Sequence, residues 1–322
     1  MSNRVCDVLG IEKPVIQGPM AWSAFAPLVA AVSNAGGFGV LGIASAPPEL
    51  VREQIQKTRE LTDKPFGVNV FMIPEQVEIV TPVLIEEKPK AVYADILFDL
   101  DEELCKVFFT PLKEAGIKII VKASTLKDAL IAERSGADLV IAKGWEGGGH
   151  VTPEATMAIL PQISQALSIP VVGSGGIADG RGMAAAIALG AEGIEMGTAF
   201  LCSEECTIHQ NAKDAIIAQG DNESVLIMAS IQEPCRQIRN AFSDEINHLE
   251  ADYPVKEVEG ILREKFAPCL KNGMHLGDTV GGSVMSGLIA PLITEIRPAA
   301  EIIDSTIAGC KEVIIRSMQF EY

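Results

Sequence analysis

The sequence has few basic residues and few aromatic ones. Lys and Arg total 26 against 43 Asp and Glu, which gives a formal net charge of −17, and aromatic residues make up 5% of the chain. This shortage of cations argues against a nucleic-acid-binding protein, because phosphate backbones require clustered Lys and Arg. No stretch of about 18 residues is apolar and free of charged residues or glycine, so we predict no membrane span.

Cysteine and metal-binding motifs are also scarce. The seven cysteines are scattered without a CxxC pair, and neither HExxH nor a calcium-binding loop occurs. This pattern predicts reduced thiols and no metal centre. The first residues, MSNRVCDVLGIEKP, lack the long apolar stretch of a secretory signal. Together these features favour a cytoplasmic protein.

What the chain does contain is a repeated pattern of strand and helix. Short apolar runs rich in Val and Ile, each followed by a stretch of helical period, predict buried parallel strands with crossover helices. Eight such units predict an α/β protein with the TIM (β/α)8 barrel fold, whereas a doubly wound sheet would place its glycines mainly in the first turn. The eight runs are PVIQG, FGVLG, FGVNVF, AVYADILF, IKIIVKA, LVIAKG, PVVGSGG and GIEMGTAF.

The rest of the chain does not continue this pattern. We assign residues 1–218 to the barrel and 219–275 to a helical cap, because the latter segment carries mixed charge and no strand pattern. Residues 276–322 turn apolar again at GGSVMSGLIAPLI and end in an amphipathic helix, which predicts a return to the barrel. The three parts are expected to form a single functional unit.

Glycines follow the seventh and eighth predicted strands. Ser174, Gly175 and Gly176 follow one, and Gly197 and Thr198 follow the other. In a barrel these positions commonly bind phosphate, because backbone N–H groups and a helix N-terminus approach the anion there. The alternative is that both segments are tight turns without a ligand.

Lysines end the fifth and sixth predicted strands. Lys122 and Lys143 keep a Schiff-base lysine of the pyridoxal-phosphate or aldolase type open as a further interpretation.

Three long motifs are similar to a known family. The segments GGGHVTPEATM, IPVVGSGGIADGRGMAAAIALGAEGIEMGTAFL and IQGPMAWSAFAPLVAAVSNAGGFGVLG resemble the superfamily of nitronate monooxygenases and flavin-type enoyl-acyl carrier protein reductases, whose members are FMN-binding TIM barrels. DKPFGVNVFM and HLGDTVGGSVMSGLIAPLI are more similar to the reductases. One departure is that AVYADILFDLDEEL has no glycine where the family usually has a glycine turn, which implies a narrower pocket.

The resemblance implies a role for individual residues. His150, directly after three glycines, would be the catalytic group, because an imidazole can donate or accept a proton near neutral pH. Glu146 would either pair with a cation or orient its loop. The residues implied to bind the cofactor are Gln17, Gly18, Pro19, Met20, Asn69, Lys122, Glu146, Gly148, Gly149, Ser174, Gly175, Gly176, Gly197 and Thr198.

Three functions follow from the resemblance. The first is an FMN-dependent enoyl-(acyl carrier protein) reductase that uses NADH or NADPH, with His150 as proton donor. The second is a nitronate monooxygenase with His150 as base, and the third is a flavoprotein without catalytic activity. A homodimer and a monovalent cation site are implied by resemblance alone.

The net charge bears on the implied carrier protein. Acyl carrier proteins are acidic, so a chain of net charge −17 would repel them unless basic residues gather at the barrel mouth. The residues that could form such a patch are Arg236, Arg239, Lys256, Arg263 and Lys265.

Overall fold

The computed structural model describes residues 3–97 and 99–319. Eight parallel strands close into a barrel in the order β1-β2-β3-β4-β5-β6-β8-β9, with β9 pairing back to β1. This confirms the TIM barrel, and each strand lies within one of the eight predicted runs. The barrel strands are β1 (Val15–Gln17), β2 (Phe38–Leu41), β3 (Phe66–Phe71), β4 (Ala91–Asp95), β5 (Lys118–Ala123), β6 (Leu139–Lys143), β8 (Val171–Ser174) and β9 (Gly193–Met196).

Helices surround the barrel and close one end of it. Helix α1 (Arg4–Leu9) packs Val5 and Leu9 against the inward-facing side chains Ile16, Phe38 and Tyr93, so it covers the interior core. The other faces of the strands pack on the outer helices, as expected for side chains that alternate in direction along a strand. These helices are α2 (Ala26–Asn34), α3 (Pro48–Leu61), α4 (Pro74–Glu87), α5 (Glu102–Glu114), α6 (Leu126–Arg134), α7 (Thr156–Ala166), α8 (Gly180–Ala188), α9 (Thr198–Leu201) and α10 (Gln210–Ala218).

The cap contains a hairpin that the sequence analysis did not predict. Strands β10 (Ser224–Ile227) and β11 (Cys235–Ile238) pair with each other, and β11 also pairs with the two-residue strand β7 (Gly149–His150). The expectation that residues 219–275 contain no strand was therefore wrong. A two-stranded hairpin of this length is marginal by itself, and β7 supplies the third strand that stabilises it. That partner is distant in sequence, so local periodicity could not reveal the hairpin.

The remainder of the cap is helical. Helices α11 (Ala241–Asp252) and α12 (Val255–Leu270) share a small core with the hairpin, in which Ile227, Phe242 and Leu262 are buried. A π-helical turn, Lys271–His275, ends the cap.

Two expectations drawn from composition can also be compared with the structure. Over residues 3–97 and 99–319, no helix is long and apolar enough to cross a membrane. All seven cysteines carry free thiols, as predicted.

The C-terminal helix α13 (Ala299–Ser317) packs closely on α8. The approach depends on Gly180, the first residue of α8, because a Cβ there would lie 2.2 Å from the backbone nitrogen of Cys310. The chain after the cap thus packs on the barrel wall.

We expect Gly180→Ala to destabilise the fold by about 1–3 kcal/mol, because the added methyl group would force α13 away from α8. Gly260→Ala is the matched control, since Gly260 lies in the interior of α12 and a Cβ there would meet no atom within 4 Å. The control should gain up to about 1 kcal/mol from helix propensity. Urea unfolding measures both, and equal effects would contradict the packing argument.

Candidate active site

The carboxyl ends of the barrel strands surround a pocket. Most of the residues predicted to bind a cofactor line it, together with Lys143 and Glu195, which the sequence analysis did not assign to that role. Gln17, Asn69, Lys122 and Gly149 are outside the lining, and so is His150, the predicted catalytic residue. The lining residues are Gly18, Pro19, Met20, Lys143, Glu146, Gly147, Gly148, Ser174, Gly175, Gly176, Ile177, Glu195, Met196, Gly197, Thr198, Gly287 and Ile289.

Glycines form one end of the pocket. Gly175 and Gly176 have φ values of +91° and +74°, and a Cβ on Gly175 would lie 2.9 Å from the Gly144 carbonyl oxygen. Only glycine suits such a conformation without strain. Gly287 donates its backbone N–H to Thr198 Oγ1 at 2.9 Å, so the C-terminal return closes this end. Small residues and backbone N–H donors fit a phosphate group here.

Glu146 orients the loop that carries the glycines. Its carboxylate accepts hydrogen bonds from the Thr156 backbone N–H at 2.9 Å and from Thr156 Oγ1 at 2.9 Å. Thr156 begins α7, whose N-cap residue Ala155 has no capping side chain. Glu146, ten residues earlier in the chain, therefore caps this helix and fixes the loop between them.

Gln17 and Asn69 are buried in the barrel beside the pocket. The Gln17 side chain donates to the Val40 carbonyl oxygen at 3.1 Å and accepts from the Val40 N–H at 3.3 Å, which links β1 to β2. Asn69 donates to Asp95 Oδ2 at 3.3 Å. Their predicted contacts with a cofactor remain predictions.

A buried ion pair stands where the family usually has a glycine turn. Asp95 ends β4, and its Oδ1 lies 2.5 Å from Lys122 Nζ at the end of the neighbouring strand. Asp95 is not among the site residues predicted from the sequence. The available signal was an acidic residue inside the apolar run AVYADILF. The end of β4 is thus polar, and the expected narrowing of the pocket stays a prediction.

Glu195 is a buried carboxyl group on β9. Its Oε1 accepts a hydrogen bond from Ser174 Oγ at 2.6 Å, and its Oε2 has no partner of good geometry among the described residues. Burial is the main cause that raises the pKa of Glu195. Burial likewise raises the pKa of the neighbouring Tyr93 well above its ordinary value, and the carboxylate charges of Glu195 and Asp95 add to the effect.

Lys143 ends β6 and lines the pocket. Its Nζ donates to the carbonyl oxygens of Gly148 and His150, each at 3.2 Å. Burial is the main cause that lowers the pKa of Lys143, and the charge of Lys122 adds to this. The sequence analysis considered Lys143 only as a Schiff-base lysine.

His150 lies where the barrel loop meets the cap. Its backbone pairs with Cys235 in the hairpin, and its ring packs edge-on against Phe266 with 6.1 Å between ring centroids. Burial, followed by the charge of Lys122, lowers the pKa of His150 to about 4. The imidazole is therefore neutral at neutral pH.

The basic residues proposed for a carrier-protein patch are largely engaged within the cap. Arg236 is buried, with its guanidinium 4.9 Å from the centroid of the Trp145 ring. Three others form ion pairs, which are Arg239 with Asp244 at 3.1 Å, Arg263 with Glu233 at 2.8 Å and Lys265 with Glu245 at 2.7 Å. Their charges are compensated by these carboxylates.

Comparison with known proteins identifies the class. The profile of the nitronate monooxygenase family matches residues 2–96 and 80–309. A probable nitronate monooxygenase of Staphylococcus aureus (strain JH9) is 32% identical, over 97% of this chain and 98% of the relative. The family profile and these relatives show that the protein is a flavin-dependent oxidoreductase. The chain belongs to the nitronate monooxygenase family.

Two solved structures are similar over almost their full length. FabK from Thermotoga maritima has a TM-score of 0.92 and 36% identity, covering 99% of each chain. Nitroalkane oxidase from Streptomyces ansochromogenes has a TM-score of 0.81 and 27% identity, covering 98% of this chain and 99% of its own. The superfamily predicted from the sequence motifs is confirmed.

We expect Glu195→Gln to stabilise the cofactor-free protein by a few degrees at pH 8 and much less at pH 4.5. Because the folded pKa of Glu195 is raised, the unfolded chain loses this proton first as the pH rises above 4.5, and the wild type then loses stability. Glutamine keeps the acceptor for Ser174 without the charge. Thermal unfolding at both pH values measures the difference, and a gain independent of pH would contradict this account.

Proposed function

We propose that the protein reduces enoyl thioesters with NADH or NADPH through a bound FMN. The observation that carries this proposal is the similarity to FabK, an enoyl-acyl carrier protein reductase, at 36% identity and a TM-score of 0.92. That similarity covers 99% of the chain, so it includes the cap and its hairpin as well as the barrel. The substrate-facing part of the molecule is therefore similar too.

The small and polar residues that line the pocket are suited to hold FMN. Gly175, Gly176, Gly197 and Thr198 would hold the phosphate, since a Cβ on Gly197 would meet only Met20 Sδ, at 3.6 Å, and the space beyond is open. Met20, Pro19 and the loop glycines would line the ring system. When bound, FMN supplies hydride transfer between a nicotinamide and the substrate.

His150 is suited to a role as a neutral group. A neutral imidazole is a weak proton donor, but its N–H can stabilise negative charge that develops on a carbonyl oxygen. We infer that His150 donates a hydrogen bond to the thioester carbonyl, and this refines the proton-donor role implied by the resemblance. The contacts with Phe266 and Cys235 hold the ring in place.

A nitronate monooxygenase is the second candidate. The low pKa of His150, about 4, leaves its imidazole ready to accept a proton from the carbon of a nitroalkane. The family profile and the relative from Staphylococcus aureus support this function by name.

We further propose that the site recognises the thioester rather than its carrier. Three of the five basic residues of the predicted patch are paired with carboxylates, and the net charge of −17 opposes an acidic carrier protein. Small thioesters such as crotonyl derivatives should therefore serve as substrates without a carrier protein.

Anaerobic stopped-flow mixing tests the two candidate reactions. The purified yellow protein is mixed with NADH, and separately with NADPH, while the visible flavin absorbance is followed. Rapid bleaching, then reoxidation by a crotonyl thioester, supports the reductase. A flavin that stays oxidised with both nucleotides but bleaches with a nitronate contradicts it and supports the monooxygenase.

We expect His150→Ala to keep its yellow colour and lose about 10²–10³-fold in turnover, the usual cost of removing a hydrogen-bond donor to a developing negative charge. His248→Ala is the matched control, because His248 is exposed on α11 and should not affect turnover. Steady-state kinetics and the flavin spectrum of both variants test this. Loss of colour in His150→Ala would instead indicate a role in binding the cofactor.

A further inference from the structure

The side-chain amine of Lys143 lines the pocket without a carboxylate beside it, and burial lowers its pKa. Its Nζ is bonded to two carbonyl oxygens, and among the described residues no carboxylate oxygen lies within the 4 Å that defines an ion pair. Burying an ammonium group is costly unless something compensates its charge. Two carbonyl dipoles compensate only part of it.

The nearby acidic groups do not contact Lys143. Asp95 pairs with Lys122 at 2.5 Å, Glu146 accepts hydrogen bonds from Thr156, and Glu195 accepts one from Ser174. Asp95 and Glu195 act on Lys143 only from beyond contact distance. When Lys143 is protonated, its ammonium group therefore faces the pocket that it lines.

The other groups at the mouth do not balance this charge. His150 is a neutral imidazole, so it adds no negative charge, and Lys122 adds a second positive one that Asp95 already balances. A negative charge on a ligand in the pocket would balance the charge of a protonated Lys143. A neutral flavin that accepted a hydride from a reduced nicotinamide would gain two electrons and one proton, and it would then carry one negative charge.

We propose that Lys143 stabilises the reduced, anionic form of the bound flavin and thereby raises its reduction potential. The proposal rests on the flavin of the proposed function, but it holds for the reductase and the monooxygenase alike. Charge beside the ring nitrogens is a recognised means by which a protein tunes a flavin. Lys143 acts on the flavin through its charge alone, and it takes no proton from the substrate.

The expected size follows from Coulomb's law. A unit charge near the ring, at the effective dielectric constant of protein sites, should favour the reduced over the oxidised flavin by about 10- to 100-fold. For a two-electron couple this corresponds to a shift of roughly 30–60 mV in the reduction potential, since a tenfold change in the equilibrium constant equals about 30 mV.

The experiment measures the midpoint potential of the bound flavin by equilibration with a reference dye. Lys143→Met and Lys143→Gln should both lower the potential by the stated amount, and the glutamine can still donate to the Gly148 carbonyl if the methionine disturbs the loop. Lys143→Arg keeps the charge and should restore the wild-type potential. Lys311→Met is the matched control, because it removes one charge from an exposed position on α13.

The outcomes separate this proposal from the function. A yellow protein whose potential is unchanged by Lys143→Met and Lys143→Gln overturns the proposal and leaves the flavin function intact. An equal shift in Lys311→Met also overturns it, since the effect would then come from net charge. A wild-type protein that binds no FMN on reconstitution overturns both proposals.

Discussion

The pairing of β7 with the cap hairpin is the interaction on which the site depends. It joins a loop of the barrel to a segment about 85 residues later in the chain, through the Cys235–His150 and Arg236–Gly149 pairs. The glycines before His150 let this loop adopt a strand at the pocket edge, where Gly149 has a φ of +71°. Without the hairpin, His150 would lie on a free loop in water. With it, the imidazole is desolvated and its pKa falls to about 4.

The charges at the mouth follow from the geometry of the barrel. Inward-facing residues at the ends of adjacent parallel strands lie side by side, which brings Asp95 on β4 next to Lys122 on β5. Lys143 on the next strand has no such neighbour, because the Ser174 that follows it around the barrel is neutral and is bonded to Glu195. In the part of the chain that the structure describes, the order of residues around the ring therefore leaves the amine of Lys143 without a contacting carboxylate, and this amine faces the pocket.

The sequence revealed the barrel because each strand is a local pattern, and all eight apolar runs form strands. It also revealed the glycine end of the pocket, since glycines at strand ends have a local cause in the turn that follows. The hairpin could not be predicted, because SVLI and CRQI are stable as strands only beside β7. The roles of Asp95, Lys143 and Glu195 also escaped prediction. Their partners depend on the register between strands, which periodicity does not determine.

The two candidate reactions make similar demands on this mouth. Hydride addition to an enoyl thioester places negative charge on the carbonyl oxygen, and deprotonation of a nitroalkane yields an anionic nitronate. A neutral imidazole and a nearby ammonium group favour both reactions. The imidazole can donate a hydrogen bond or accept a proton, and the ammonium group stabilises negative charge that develops close to it. The groups at the mouth therefore do not distinguish the reactions by themselves. The shape of the space between the barrel and the cap is the property that can distinguish the two reactions. Phe266 on α12 packs against His150 in this space, so the side chains of the cap limit which substrate can approach the imidazole.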